Sequence, residues 1–250
     1  MINSCKAIEI INLTKLYANG RGINDLSLEI NPGEIFGFLG PNGAGKTTAM
    51  KAMTGLIKPD RGDVKIFGYS IRDQYELAMS EVGCLIETAE SYPFLSAWDN
   101  LKLQARYYPK VDTKRIEEVL EITGMLKFKD EKPRRFSLGM KQRLGLAAAI
   151  LSKPKILILD EPLNGLDVEG MIEMRNLIKS LAENESTTFF ISSHLIHDVE
   201  LTCTRIGVIY DGIILNVDST QNILQNYATV ENYFVSEVER NGRISSSIPQ

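Results

Sequence analysis

The 250 residues carry 44% hydrophobic and 24% charged side chains with a formal net charge of -4, enough for one domain, or one domain with an inserted lobe, around a substantial core. The acidic balance argues against a general electrostatic grip on nucleic acid. No apolar run reaches the roughly 18–20 residues that cross a bilayer, the longest candidate being Leu144 to Leu151. The N-terminus sets Glu9 among its apolar residues and lacks the basic start and small-residue cleavage site of a signal peptide. Cys5, Cys84 and Cys203 lie far apart in no metal-ligand spacing and read as buried free thiols of a reducing cytosol.

In chain order, Ala7 to Ile30 alternates apolar and polar residues around the turn Asn19-Gly20-Arg21-Gly22, which predicts antiparallel strands. After Asn31-Pro32-Gly33, the run Ile35 to Leu39 reads as a buried strand, and Thr48 to Leu56 as a helix. Between them stands Gly40-Pro41-Asn42-Gly43-Ala44-Gly45-Lys46-Thr47, a complete G-x-x-x-x-G-K-[ST] phosphate-binding loop in the context that motif needs. Its glycines let successive N–H groups turn toward an anion, and the helix N-terminus adds partial positive charge. Lys46 is expected to reach the β- and γ-phosphates and the Thr47 hydroxyl to ligate Mg²⁺, with Thr48 completing the phosphate-binding set. Nucleoside triphosphate binding is the expectation.

A turn at Pro59-Asp60-Arg61-Gly62 precedes a short strand, Val64 to Phe67, and a second buried strand is expected near Val82 to Ile86. Helical periodicity dominates from Ala97 to Leu151. Asp112 caps one helix, which Gly124 stops, and Ser137 opens another. This stretch reads as a helical lobe inserted into an α/β core. Ile156 to Leu159 resumes the core as a strand buried on both faces. Asp160-Glu161-Pro162 then puts two carboxylates where open α/β sheets bind ligands. Asp160 can hold the Mg²⁺ shell and Glu161 can polarise the attacking water. A helix from about Val168 to Ala182, a strand from Thr187 to Ser192, a short helix near Leu195 to Leu201 and a hairpin at Asp211-Gly212 follow. After Val217 the pattern weakens, and Ser245-Ser246-Ser247 suggests a frayed terminus.

Phe136-Ser137-Leu138-Gly139-Met140-Lys141-Gln142-Arg143 resembles the Leu-Ser-Gly-Gly-Gln signature of ATP-binding cassette proteins, with Phe for the first Leu, Leu for the first Gly and Met for the Gln. Ser137 and Gly139 stand where the family binds phosphate. The resemblance runs from Tyr17 to about Gly212. It implies a P-loop NTPase (RecA-like) α/β core with an N-terminal antiparallel β subdomain and an inserted α-helical lobe. The cassette would span 1–218, the lobe about 88–152 and a C-terminal tail 219–250. It further implies an ATPase using ATP and Mg²⁺, with Tyr17 stacked on adenine and His194 sensing the γ-phosphate. Leu163-Asn164-Gly165-Leu166-Asp167 matches the loop that reaches across the family's dimer.

The family usually has Gln as a Mg²⁺ and water ligand at the end of the strand before the helical lobe, where this chain has Glu87. That departure is similar to the bacitracin-resistance and lantibiotic-immunity exporters, as is the approach to the lobe, Tyr92 to Leu101. The resemblance implies separate integral-membrane permease subunits docking near Tyr92, Phe94 and Trp98, and a second ATP-binding subunit. It also implies a peripheral place on the cytoplasmic face of the membrane, with no nucleic acid partner. The competing expectation is a soluble cassette ATPase acting on ribosomes or DNA. Such proteins usually join two cassettes or carry long coiled-coil or basic insertions, and neither is present in these 250 residues.

Overall fold

The computed structural model describes residues 5–87 and 91–241. β1 (Ile8–Leu16) and β2 (Gly22–Ile30) pair antiparallel with Ile8 opposite Ile30, since their alternation leaves one face to bury. β3 (Ile35–Leu39) opens a second sheet and runs into the phosphate loop, from which α1 (Lys46–Met53) leaves. β4 (Arg61–Ile66) and β5 (Tyr69–Ser70) complete the first sheet in the order β2-β1-β4-β5. A one-turn helix, α2 (Tyr75–Met79), precedes β6 (Val82–Leu85). The chain then leaves the sheet for α3 (Ala97–Ala105), α4 (Thr113–Ile122) and α5 (Leu138–Ala149), with two short 3₁₀ turns between α4 and α5.

β7 (Ile156–Asp160), α6 (Val168–Glu185), β8 (Thr188–Ser193), α7 (Ile196–Thr202), β9 (Arg205–Tyr210) and β10 (Ile213–Ser219) follow. The second sheet is ordered β10-β9-β3-β8-β7-β6, parallel throughout except for β10. Five strands therefore end on the same edge. There, Leu39 pairs with Ser193, Asp160 with Ser192 and Leu85 with Leu159.

Alternation along the parallel strands splits their side chains between two cores. Ile156, Ile158, Phe36, Phe38 and Phe190 face α1 and the antiparallel sheet, while Leu157, Leu159, Phe189 and Ile191 face α5, α6 and α7. Phe190 meets Phe36 and Phe38 at ring distances of 5.6 and 5.2 Å. Each such buried ring contributes about 1.5–3 kcal/mol through lost apolar surface. On the other face Gly83 lets β6 approach the end of α5, where a Cβ would stand 2.1 Å from the Ala149 carbonyl oxygen.

Within the helical excursion, Ser137 caps α5 by accepting from the Met140 N–H, and Asp112 caps α4 through Arg115 N–H. The buried Arg115 side chain donates to the carbonyls of Ile150 and Leu151 just past α5. It thereby satisfies acceptors that the helix end leaves open.

One expectation is corrected. Of the three cysteines, all free, only Cys203 is buried; Cys5 and Cys84 are exposed. Beyond Val217, where the pattern weakens, the chain forms α8 (Thr220–Asn226) and α9 (Val230–Arg240), capped by Ser219 and Thr229. Val230, Tyr233 and Val238 of α9 are buried, and Glu200 of α7 accepts from the Val230 N–H at 3.0 Å. Ser245-Ser246-Ser247 lies outside the described residues, as does Thr88 at the expected start of the helical lobe.

Candidate functional site

The loop from Gly40 to Thr47 follows β3 at the shared strand edge, and its backbone takes conformations that a side chain resists. Gly43 has φ 84° and Gly45 φ 104°, and a Cβ on Gly45 would stand 2.6 Å from the Gly22 carbonyl oxygen. α1 begins at Lys46 rather than Thr48, so the orphan N–H groups of its first turn belong to the motif itself. Lys46 Nζ folds back to the carbonyls of Gly40 at 2.7 Å and Pro41 at 3.3 Å. Thr47 donates its hydroxyl to Asp160 Oδ2 at 2.8 Å, and Ser192 donates to the other oxygen of that carboxylate.

Glu161 sits one residue past β7 with φ 50°, a left-handed conformation uncommon for a side-chain-bearing residue. Its N–H donates to Ser192 Oγ at 3.0 Å and lies 3.2 Å from the Ser192 carbonyl oxygen. This turn aims the carboxylate back over the phosphate loop. Oε1 lies 3.1 Å from Lys46 Nζ as an ion pair, without the alignment of a hydrogen bond. Oε2 lies 2.8 Å from His194 Nδ1 and 3.3 Å from the His194 backbone N–H. An ionised carboxylate only accepts, so this pairing puts a proton on Nδ1 and leaves Nε2 for another partner.

A cleft of about 310 Å³ lies over the loop and is lined by Tyr17, Gly43, Lys46, Thr47, Thr48 and Glu161, among others. Asn19 and Arg21 line it too. Sequence reading passed them over as turn residues, although a basic side chain between two glycines was the available signal. Ser192 is a second omission, legible only as the residue before Ser193-His194. Neither Ser137 nor Gly139 lines the cleft. They lie at the start of α5, where Gly139 packs toward Leu166 and Gly165 toward Leu138. Glu87 sits at the same sheet edge with φ 66°, and its carboxylate meets Lys51 Nζ at 2.7 Å. It is mostly exposed, and its hydrogen-bond partner is Lys51 rather than Thr47 or Asp160.

Residues 23–164 match the family described as ABC transporter. The chain belongs to that family. It is 39% identical over 241 residues to the bacitracin transport ATP-binding protein BcrA of Enterococcus faecalis, covering 96% of this chain and 77% of that one. It is 38% identical over 221 residues to the lantibiotic transport ATP-binding protein SrtF of Streptococcus pyogenes, covering 86% and 93%. Among solved structures, the dimeric, post-hydrolysis state of the ATP-binding cassette MJ0796 bound to ADP and Pi superposes with a TM-score of 0.77. That pair is 26% identical, with 85% of this chain and 98% of the other covered. The ABC cassette fold and the ATPase activity of the family are thus those of this chain. Among the described residues no helix is long and apolar enough to cross a membrane.

The donor set fits a magnesium ion. Thr47 Oγ1 and Asp160 Oδ2 are hard oxygens already 2.8 Å apart at the exit of the phosphate loop. Mg²⁺ characteristically takes one or two protein oxygens and completes its shell with water and phosphate. Thr47 and Asp160 would hold it there, and it would supply positive charge that offsets the charge developing on the leaving phosphate.

Proposed function

We propose that this cassette is the ATP-hydrolysing subunit of an ABC exporter that expels a peptide antibiotic or a similar amphiphile, driving separate permease subunits from the cytoplasmic face of the membrane. In this reading Tyr17 stacks on adenine, the N–H groups from Gly40 to Thr48 and Lys46 hold the phosphates, and Thr47 and Asp160 take Mg²⁺. Glu161 accepts the proton of the attacking water. His194, hydrogen-bonded to Glu161 through Nδ1, keeps Nε2 for the γ-phosphate. The observation that carries the catalytic part is that Glu161, which lines the cleft with Lys46, meets Lys46 at 3.1 Å through one oxygen and His194 at 2.8 Å through the other.

One chain holds half of each reaction centre, because Ser137 and Gly139 lie outside the cleft that holds the phosphate loop. A two-fold, head-to-tail dimer brings a partner's signature helix onto each nucleotide. ATP then closes the interface and hydrolysis reopens it, a clamp with different affinity in its two states. The similarity to BcrA and SrtF supports the cargo class. For the permease, a groove of about 360 Å³ lined by Tyr92, Asn100, Gln104 and Tyr107 is available beside exposed Phe94. Exposed aromatics of this kind favour a protein partner, although Trp98 is half-buried against the core. The cassette proper runs over 1–218, with 88–152 as its helical lobe.

The experiment is genetic and biochemical. Deleting the gene should sensitise the host to bacitracin or a lantibiotic, and the wild-type chain, but not Lys46→Ala, should restore resistance. The protein should co-purify with a multi-span membrane protein. Unchanged susceptibility together with cofractionation on ribosomes or DNA would refute the exporter reading.

A further inference from the structure

α7 follows His194 by two residues and is held by a contact that the hydrolytic site does not use. Asp198, buried on α7, forms an ion pair with Arg175 Nη1 on α6. Asp198 lies four residues after His194, in the first turn of α7. α6 in turn begins at Val168, capped by Asp167, six residues after Glu161. The contacts close a ring. From Glu161 the chain runs through the loop 162–167 into α6, crosses at Arg175–Asp198 to α7, and returns through His194 to Glu161 Oε2. Glu161 is itself held in a left-handed conformation, and such strain persists only where surroundings over-determine it.

The geometry points to Asp198 and Arg175 as positioning residues for hydrolysis: their ion pair fixes α7 against α6 and so sets the distance between His194 and Glu161. Val199 packs α7 into the core, Glu200 holds it to α9 and the Leu195 N–H donates to Ser193 Oγ, while Arg175–Asp198 is its ion pair with α6. Leu195, the cap of α7, makes no side-chain cap hydrogen bond. A buried charge pair is an inefficient way to add stability, because well-packed apolar residues of similar volume often serve as well or better. It does impose one separation and one orientation, which a catalytic pair requires and apolar packing does not supply. The pair touches neither the phosphate loop nor the nucleotide cleft, so it acts only through His194.

This inference rests on the reading in which His194 takes part in hydrolysis, and the test separates the two. Steady-state ATPase parameters, nucleotide affinity and thermal midpoints are measured for Asp198→Asn, for Arg175→Met with Asp198→Leu, and for each of these in a His194→Ala background. The expected result is that Asp198→Asn lowers kcat on the order of ten- to a hundredfold with KM and nucleotide affinity within about twofold. The apolar double variant should regain the wild-type midpoint without regaining kcat, and neither change should lower kcat further once His194 is alanine. Full activity in the apolar double variant would make the ion pair merely structural and overturn the inference. So would an additive loss in the His194→Ala background. If His194→Ala alone leaves kcat unchanged, the histidine's assigned role falls, and the inference with it. If Asp198→Asn fails to fold, the apolar pair still decides the matter.

Discussion

Replacing Glu161 by Gln keeps the side chain's shape and removes its charge at the point where Lys46 and His194 converge. Two magnitudes follow. For the fold, Lys46 loses an ion-pair partner at 3.1 Å, the two side chains being 6% and 20% exposed, but keeps the carbonyls of Gly40 and Pro41. The cost is therefore about 1–2 kcal/mol, or a midpoint lowered by roughly 2–8 °C in a chain of this size. For the reaction, an amide cannot accept the proton of the attacking water. Loss of a positioned general base costs about 10²–10⁴ in rate, equivalent to about 2.7–5.4 kcal/mol of transition-state stabilisation. The assay is phosphate release under saturating Mg²⁺ and ATP, alongside size-exclusion chromatography with light scattering. The variant should bind ATP, turn over at least a hundredfold more slowly, and accumulate as a dimer that the wild type forms only transiently. A kcat within tenfold of wild type would remove Glu161 from the role of base. A monomer that persists with ATP and Mg²⁺ would refute the clamp.

Arg115→Ala should lower stability by about 1–3 kcal/mol, since it strands the Leu151 carbonyl in the interior, while the Ile150 carbonyl keeps the Lys153 N–H; a midpoint within 2 °C of wild type in differential scanning calorimetry would contradict this. Gly43→Ala and Gly45→Ala share a left-handed backbone penalty of about 1–2 kcal/mol. Only the second also forces a Cβ against the Gly22 carbonyl, so Gly45→Ala should be the more destabilising in nucleotide-free unfolding, and equal losses would refute the steric account. Burial pushes the Cys203 thiol up to about 12, so in the folded state Cys5 should react with iodoacetamide at pH 8 while Cys203 stays unlabelled until denaturant is added. The same shift gives the sign of a pH effect. Above the ordinary thiol value of 9.0 the unfolded thiol ionises and the folded one does not, so this residue's contribution to stability is lost as pH rises from about 9 toward 12; flat urea midpoints over that range in the wild type, matching Cys203→Ala, would refute it.

The phosphate loop was legible because its requirements are local. Glycines at the two left-handed positions, a lysine and a threonine at the helix start, and a flanking apolar strand all fall within a dozen residues. The strand Ile156–Asp160 and the caps Asp112 and Ser137 were legible for the same reason. α9 was not, because its buried face mixes Val230, Tyr233 and Val238 with the buried carboxylate of Glu237, which dilutes the apolar periodicity. Cys84 was misjudged because it sits on β6, the outer strand of its sheet, and an apolar neighbourhood in sequence does not reveal which strand is outermost.

The sequence by itself determined that a phosphate-binding loop, an acidic strand end and a signature-like helix share one chain, since each is defined by residues in covalent succession. Only the tertiary structure decided which of them meet. The strand order β10-β9-β3-β8-β7-β6 departs from chain order at one point, inserting β3 between β9 and β8. It brings Lys46, Asp160, Glu161, Ser192 and His194 to one edge from the ends of β3, β7 and β8, and leaves Ser137 and Gly139 outside the cleft. The contacts of Thr47 with Asp160 and of Lys46 with Glu161 span more than a hundred residues, and all of them arise from how the parallel strands pack between two cores. No local propensity encodes them.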